Sequence, residues 1–221
     1  MLVKKIIEFY DSRNEKPKTI IFLKDNLEIA RQLLDEKGKI TKTTGNIEDG
    51  EYAQYFIDSD KKMEWKLIYK NSVLDGEIIQ YYKSGAVHWK DYFVNGKQEK
   101  TSYGFYEDGK PKYESSYLNG KKNGESKKFA EDGKLIHIKN YADGIKNGIT
   151  SKFDEFGILK LETTFVNAIK EGIERKYHDN GKLRSERMYK DGERHGAAKK
   201  FDELGNLKYE EEWNEGKKIS K

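Results

Sequence analysis

The sequence predicts an all-β protein, an elongated single-layer antiparallel meander of stacked β-hairpins that repeats every 24 residues. Three observations lead to this prediction. An aromatic residue lies four positions before, and another eight positions after, each glycine of a regular series. A second turn signal follows each glycine after ten or eleven positions, as in Asn95-Gly96 and Asp191-Gly192. The series itself is Gly85, Gly109, Gly133, Gly157, Gly181 and Gly205.

The segment from Gly172 to Gly196 illustrates why each repeat is predicted to be a hairpin. Its turn contains Asn180-Gly181, and Asn-Gly between alternating segments is the strongest short-range hairpin signal. Apolar residues stand at positions −4, +2 and +8 from the glycine, and these even offsets predict that they share one face. Basic residues at −5 and +3 and acidic residues at +5 are expected on the other face, where they would pair across strands.

The repeats are predicted to form two parts, 1–49 and 50–221. Residues 50–221 are expected to be one continuous regular hairpin array. Residues 1–49 are less regular and are interpreted as degenerate capping repeats, in which Tyr10–Asn14 and the Gly38 region are eroded turns. The register favours a strand over residues 26–34, and a short helix capped by Asp25 or Asn26 is the alternative.

Composition restricts the class of protein. Charged residues make up 37% of the chain and leave little material for a thick core, whereas 13% aromatic residues argue against disorder. The net charge of +4 comes from interspersed signs, which disfavours nucleic acid as a partner. The chain has no cysteine, no signal-like apolar region at its start and no apolar stretch of membrane-spanning length. We therefore expect a cytoplasmic location.

The repeat G-x4-(Y/F)-x3-G-x-L-x5-(Y/F)-x-(N/D)-G resembles the bacterial variant of the MORN repeat, over residues 50–216 and more weakly over 1–49. The chain departs from it at Pro111, which replaces an aliphatic residue, and at Lys100 and Ala168, which replace glycines. The resemblance implies a twisted sheet of hairpins that serves as a binding platform. Eukaryotic relatives are associated with membranes and scaffolds, and bacterial relatives are commonly labelled antitoxin or immunity components of toxin systems.

The sequence offers no catalytic or metal-binding pattern. Its four histidines, His88, His137, His178 and His195, have no metal-ligand spacing and occupy different repeat positions. No known nucleophile or phosphate-binding motif is present. The motif residues of the resembled family are structural, so the resemblance implies no catalytic set either. We expect a protein that is not an enzyme and that has no cofactor and no metal site.

An excess of aromatic residues between positions 81 and 117 is the clearest difference among the repeats. One interpretation is a thicker core in this part of the array. The other is a partner-binding patch, because Tyr and Trp dominate interaction hot spots. The residues of this predicted patch are Tyr82, Trp89, Tyr92, Tyr103, Tyr106 and Tyr113.

The favoured function is a non-enzymatic protein–protein interaction module with a protein partner. The resemblance adds an antitoxin or immunity role, in which the chain neutralises that partner. The alternative is a scaffold or a membrane-surface, lipid-binding repeat protein. The nearly balanced charge of the chain argues against this alternative. Binding of single-stranded nucleic acid is a third hypothesis, and the acidic row at position +5 argues against it.

Overall fold

The computed structural model describes residues 1–9, 17–37, 39–56 and 59–220, and every regular element in these ranges is a β-strand. The predicted all-β fold of meandering hairpins is therefore confirmed. The predicted turn at Tyr10–Asn14 and the glycine at position 38 lie outside the described residues. The chain divides into two compact units, one of residues 1–100 with 107–109 and one of residues 101–106 with 110–221.

The first unit contains a short departure from the meander. The first strand, Leu2–Phe9, pairs with Pro17–Lys24 in antiparallel orientation and with Gly50–Phe56 in parallel orientation. In the parallel pair, Leu2 lies opposite Tyr52 and Val3 opposite Ala53. Residues 27–34 form a strand, so the strand interpretation of 26–34 is confirmed and the helix alternative is wrong. The strands are β1 (Leu2–Phe9), β2 (Pro17–Lys24), β3 (Leu27–Leu34), β4 (Ile40–Gly45), β5 (Gly50–Phe56), β6 (Ser59–Lys70), β7 (Val73–Leu74), β8 (Gly76–Tyr81) and β9 (Val87–Val94).

The buried core of the first unit is aromatic at its centre. The rings of Phe22, Tyr52 and Tyr69 meet edge to face, with centroids 5.2–5.5 Å apart. Such pairs add roughly 0.5–1.5 kcal/mol each to the free energy gained from burial. Smaller apolar residues complete this core, namely Ile20, Ala30, Leu34, Ile47, Leu67 and Ile78.

The second unit is a regular antiparallel meander with a thin core. Its strands pair in sequence order, except that Ile145–Lys146 and the strand after it both pair with Leu135–Ala142. Its only buried apolar side chain among the described residues is Ala198. Half-buried rings and hydrophobic stems take the place of a second layer. Strand β10 (Lys97–Phe105) begins in the first unit by sequence, and the remaining strands are β11 (Pro111–Leu118), β12 (Lys121–Phe129), β13 (Leu135–Ala142), β14 (Ile145–Lys146), β15 (Gly148–Phe153), β16 (Leu159–Val166), β17 (Ile169–Tyr177), β18 (Leu183–Lys190), β19 (Glu193–Phe201), β20 (Leu207–Asn214) and β21 (Lys217–Ser220).

One end of each hairpin closes with a two-residue turn in which both residues have positive φ. In Asp191-Gly192 the angles are 51° and 85°, as a type I′ turn requires. Asn167-Ala168 adopts the same conformation, with φ of 49° and 67°. Ala168 therefore occupies a left-handed position for which glycine is the favoured residue.

The other end of each hairpin contains a bulge that changes which residues share a face. At the Gly181 turn, Lys176 lies opposite Ser185 whereas Tyr177 lies opposite Leu183, so one residue is extra. Because neighbouring residues of a strand point to opposite faces, Tyr177 at position −4 leaves the face of the +8 rings. Its hydroxyl donates to Glu162 at 2.7 Å, in the acidic row. The expectation of one common apolar face was thus wrong, because even spacing holds only within a strand without a bulge.

A second bulge glycine lies fifteen positions after four of the six repeat glycines, where a Cβ would approach the preceding strand. A Cβ on Gly148 would lie 3.1 Å from the Cβ of Asn140, whereas one on Gly172 would lie 3.7 Å from that of Thr164. Lys100 takes this position in the first unit at a φ of 63°.

Candidate protein-interaction surfaces

Three of the six predicted aromatic residues belong to the first unit. Tyr82 lies in a turn, with its ring centroid 4.3 Å from that of His88. The indole of Trp89 is half-buried and donates to Asp91 at 2.7 Å. Lys100 lies above the ring of Tyr92, with its ammonium 3.5 Å from the centroid. Trp89 and Tyr92 are three residues apart on β9 and therefore point to opposite faces.

The other three predicted residues belong to the second unit. Tyr103 is the most exposed, at 41%, and stacks on Phe105 with centroids 6.5 Å apart. The hydroxyl of Tyr106 donates to the carbonyl oxygen of Phe129 at 2.8 Å, which links successive repeats. Tyr113 lies opposite Lys128 on the neighbouring strand.

The structure does not bring the six predicted residues onto one surface within either unit. Each unit holds three of them, and in the first unit adjacent members point to opposite faces. Tyr106 and Trp89 have structural hydrogen bonds of their own. A role of these residues in partner binding stays a prediction.

The basic residues of the second unit are gathered on one face of the sheet. The cross-strand register links Lys128 to Tyr113 and His137, and further along the sheet it links Lys200 to Ser185 and Tyr209. Directly opposed residues share a face, so the register identifies every member. We call this the lysine face; its carboxylates are Glu174 and Glu211, and its basic residues are Lys122, Lys128, Lys139, Lys146, Lys152, Lys170, Lys176, Arg187, Arg194, Lys200 and Lys218.

Aromatic rings hold one row of these basic residues in place. The ammonium of Lys146 lies 4.2 Å from the ring centroid of Phe165, and the guanidinium of Arg194 lies 4.6 Å from that of Trp213. Lys122 lies over Tyr141 at 5.4 Å in the same way, and Lys170 lies over Tyr189 at 4.7 Å. Such cation–π contacts contribute roughly 0.5–1 kcal/mol each at exposed sites.

Short polar side chains separate this row from the second basic row of the lysine face. Ser115, Thr150 and Thr163 occupy the middle of the sheet and are buried between the longer side chains. The hydroxyls of Ser115 and Ser126 are 2.8 Å apart and share a hydrogen bond. The middle line also contains Lys139 opposite Ser126, and beyond Thr163 it continues through Glu174, Arg187, Ala198 and Glu211.

The opposite face of the second unit has paired charges. Arg175 and Glu186 approach to 2.8 Å, and Lys199 and Glu210 to 3.5 Å. The expected pairing of the acidic row across strands is confirmed, but its basic partners stand at position −6. The basic row at −5 belongs to the lysine face instead, because of the bulge beside the turn.

Exposed aliphatic side chains lie on this same opposite face. Ile149 is 49% exposed and Ile169 is 50% exposed, although both are in regular strands. The register places each of them beside a residue of the lysine face along its strand, and hence on the other side of the sheet. We call this the aliphatic face; it comprises Leu118, Ile145, Ile149, Val166, Ile169 and Met188.

The titration of the lysine face reflects its crowding with like charges. Partial burial lowers the pKa of His137, and Lys139, Lys152 and Lys128 lower it further. Burial also lowers the pKa of Lys122, with Lys139 as the second cause. Within the described ranges, no carboxylate is within ion-pair distance of Lys122, Lys128, Lys139, Lys146 or Lys152. The positive potential of this face is therefore not neutralised by the chain itself.

The basic row that contacts the rings was not predicted from the sequence, although its residues are periodic. The basic residues recur at the repeat interval, thirteen positions after five of the six glycines, namely Lys122, Lys146, Lys170, Arg194 and Lys218. Their place on the face of the −5 lysines could not be predicted from spacing, since it depends on the bulges.

The described residues contain neither a metal-binding cluster nor a membrane-spanning helix. In the part of the chain that the structure describes, histidine, aspartate and glutamate side chains form no group that could hold a metal ion. The same part contains no helix of the length and apolarity needed to cross a membrane.

Comparison with known families identifies the repeat. The model of the MORN repeat variant matches residues 98–119, 122–143, 170–191 and 194–215. No curated protein matches the chain. Each matched segment ends at the first residue of a type I′ turn, and the four segments share one register. Four matches in one register, each on a hairpin of this sheet, show that these segments are similar to the MORN repeat variant.

Proposed function

We propose that this chain is a non-enzymatic protein-binding module that neutralises its partner, in the manner of an antitoxin or immunity protein of a bacterial cytoplasm. The uncovered aliphatic face is the observation that carries the proposal. Apolar patches left on a folded surface commonly mark interaction sites. A chain without cysteine is also compatible with a reducing compartment.

The thin core of the second unit supports this function. A single layer of hairpins cannot cover both of its own faces, so its apolar side chains are available to a partner. On neighbouring strands, Ile149 lies opposite Thr164 and Ile169 lies opposite Val166. These pairs extend the apolar area across strands. The six predicted aromatic residues remain candidates for further contacts, among which Tyr103 is the most accessible.

The test begins with capture of a partner from the native lysate and its reconstitution with purified components. We expect a stoichiometric complex that suppresses the partner's activity. The double variant Ile149→Ser/Ile169→Ser should weaken the complex at least about tenfold, since several half-exposed aliphatic groups lose their burial. Far-UV circular dichroism should be unchanged.

A matched control changes apolar residues that are more exposed but lie in turns. Phe156 and Leu204 are 72% and 75% exposed, and Phe156→Ser/Leu204→Ser should leave the complex intact. Equal losses in both double variants would contradict the role of the aliphatic face. Sedimentation with anionic vesicles in the absence of any protein partner would instead favour the membrane-surface alternative.

A further inference from the structure

We propose that the lysine face binds an extended acidic segment of the partner protein, laid across the strands with carboxylates at every third residue. This inference rests on the proposed function, because it assumes that the ligand is a protein. It assigns a ligand to basic residues, among them those at position −5, that the sequence predicted would pair across strands with the acidic row.

Charge complementarity is the first argument. The lysine face carries eleven basic side chains against Glu174 and Glu211, while the charges of the other face are paired. Lys170, Arg187 and Lys218 are paired with these two carboxylates. Among the described residues, no carboxylate is within ion-pair distance of the lysines at 122, 128, 139, 146 and 152, so their like charges are held close together without compensation. A ligand with several carboxylates would remove this repulsion and gain charge-assisted hydrogen bonds.

The spacing of the repeats is the second argument. Each hairpin advances the array by two strands, which is about 9.6 Å at the usual strand separation. Three residues of a segment in the extended polyproline II conformation complete one turn and advance by about 9.3 Å, so every third side chain points to the same side. A carboxylate at every third residue would therefore meet one basic side chain per repeat. The short, buried side chains of Ser115, Thr150 and Thr163 leave room for the peptide backbone between the two basic rows in this part of the face.

The ring contacts argue against single-stranded nucleic acid as the ligand. Base stacking needs a free aromatic face. In the lysine face, Tyr141, Phe165, Tyr189 and Trp213 each have a cation 4.2–5.4 Å from the ring centroid. These rings fix the positions of the cations instead of offering a stacking platform.

The separation of the two faces argues against a membrane surface. Binding to an anionic bilayer gains strength both from apolar groups that insert into it and from unpaired basic side chains that meet the same membrane surface. Here the exposed aliphatic residues, Ile149 and Ile169 among them, point away from the lysine face. A soluble acidic segment needs no aliphatic insertion and fits the observed distribution.

The test measures fluorescence anisotropy of labelled peptides with the full-length protein. One peptide repeats Glu-Ser-Gly five times, and its isomer has the same composition with all glutamates at one end. The repeating peptide should bind more tightly, and its affinity should fall with added salt. The triple variant Lys128→Gln/Lys139→Gln/Lys152→Gln should lose about tenfold or more in affinity.

The control removes the same charge from the opposite face. Lys127→Gln/Lys190→Gln/Lys199→Gln should bind the repeating peptide as the wild type does, and circular dichroism should show both variants folded. Equal losses in the two variants, or equal affinity for the two peptides, would overturn the inference. Tighter binding of a thymidine oligonucleotide or of anionic vesicles would overturn it as well. A captured partner whose affinity is insensitive to the lysine-face variant would refute this inference alone and leave the proposed function standing.

Discussion

Ala168 provides a direct test of the turn geometry on which the repeat depends. Its φ of 67° lies in the left-handed region, where a residue with a Cβ is disfavoured by roughly 1–2 kcal/mol relative to glycine. Glycine in turn loses about 0.5–1 kcal/mol more conformational entropy on folding. The substitution Ala168→Gly should therefore stabilise the protein by about 0.5–1 kcal/mol.

The reverse substitution is available in the next repeat. A Cβ on Gly192 would lie 3.6 Å from Cγ2 of Ile169, an ordinary contact, so Gly192→Ala measures the conformational cost with little steric contribution. It should destabilise the protein by a similar amount. For a chain of this size, about 0.5–1 kcal/mol corresponds to roughly 1–4 °C in Tm.

Thermal unfolding followed by circular dichroism, together with urea titration, would measure these differences. Ala168→Ser serves as the control, because serine keeps the Cβ and should leave Tm nearly unchanged. An increase for serine equal to that for glycine, or no increase for glycine, would refute the argument from φ.

Three further perturbations probe the second unit. Gly148→Ala should lower the urea midpoint more than Gly172→Ala, because its Cβ would come within 3.1 Å of a neighbouring Cβ, and equal shifts would contradict the close approach. Glu174 is 4% exposed and forms ion pairs with two cations, so Glu174→Gln should lower the free energy of unfolding by about 1–3 kcal/mol. The exposed residue Glu210 serves as the comparison, and Glu210→Gln should lower it by about 0–1 kcal/mol. Similar losses in the two variants would disprove the importance of burial. His137 has a lowered pKa in the fold, so the unfolded chain binds more protons and stability should fall as pH drops through about 6.5. His137→Gln should flatten this dependence between pH 5 and 7.5, and a profile identical to that of the wild type would exclude His137 as its source.

Much of the fold could be predicted because turn chemistry is local. Asn-Gly and Asp-Gly pairs favour positive φ wherever they occur, and Asp191-Gly192 forms the expected turn. The strand at residues 27–34 followed from the register in the same way. The parallel pairing of Leu2 with Tyr52 could not be predicted, since no repeat signal connects such distant residues.

The candidate surfaces were less predictable than the fold. Spacing identified the rings and charged residues correctly as periodic, but it placed Lys128 and Tyr177 on the wrong faces. A single bulge beside each turn reverses the alternation, and the bulge depends on how two strands close around Gly133 or Gly181. The contacts of Lys146 and Arg194 with rings of the next repeat likewise need the register between strands.

The sequence by itself determined the repeat, its hairpins and its turn residues, because these depend on backbone preferences of a few adjacent positions. Only the tertiary structure decided which side chains share a face. In the sequence, the residues of the lysine face and of the aliphatic face alternate, and the folded sheet places them on opposite sides. The physical reason is that side chains alternate between the two faces along a strand. One inserted residue per hairpin therefore decides whether a repeated basic residue lies beside carboxylates or beside other basic residues.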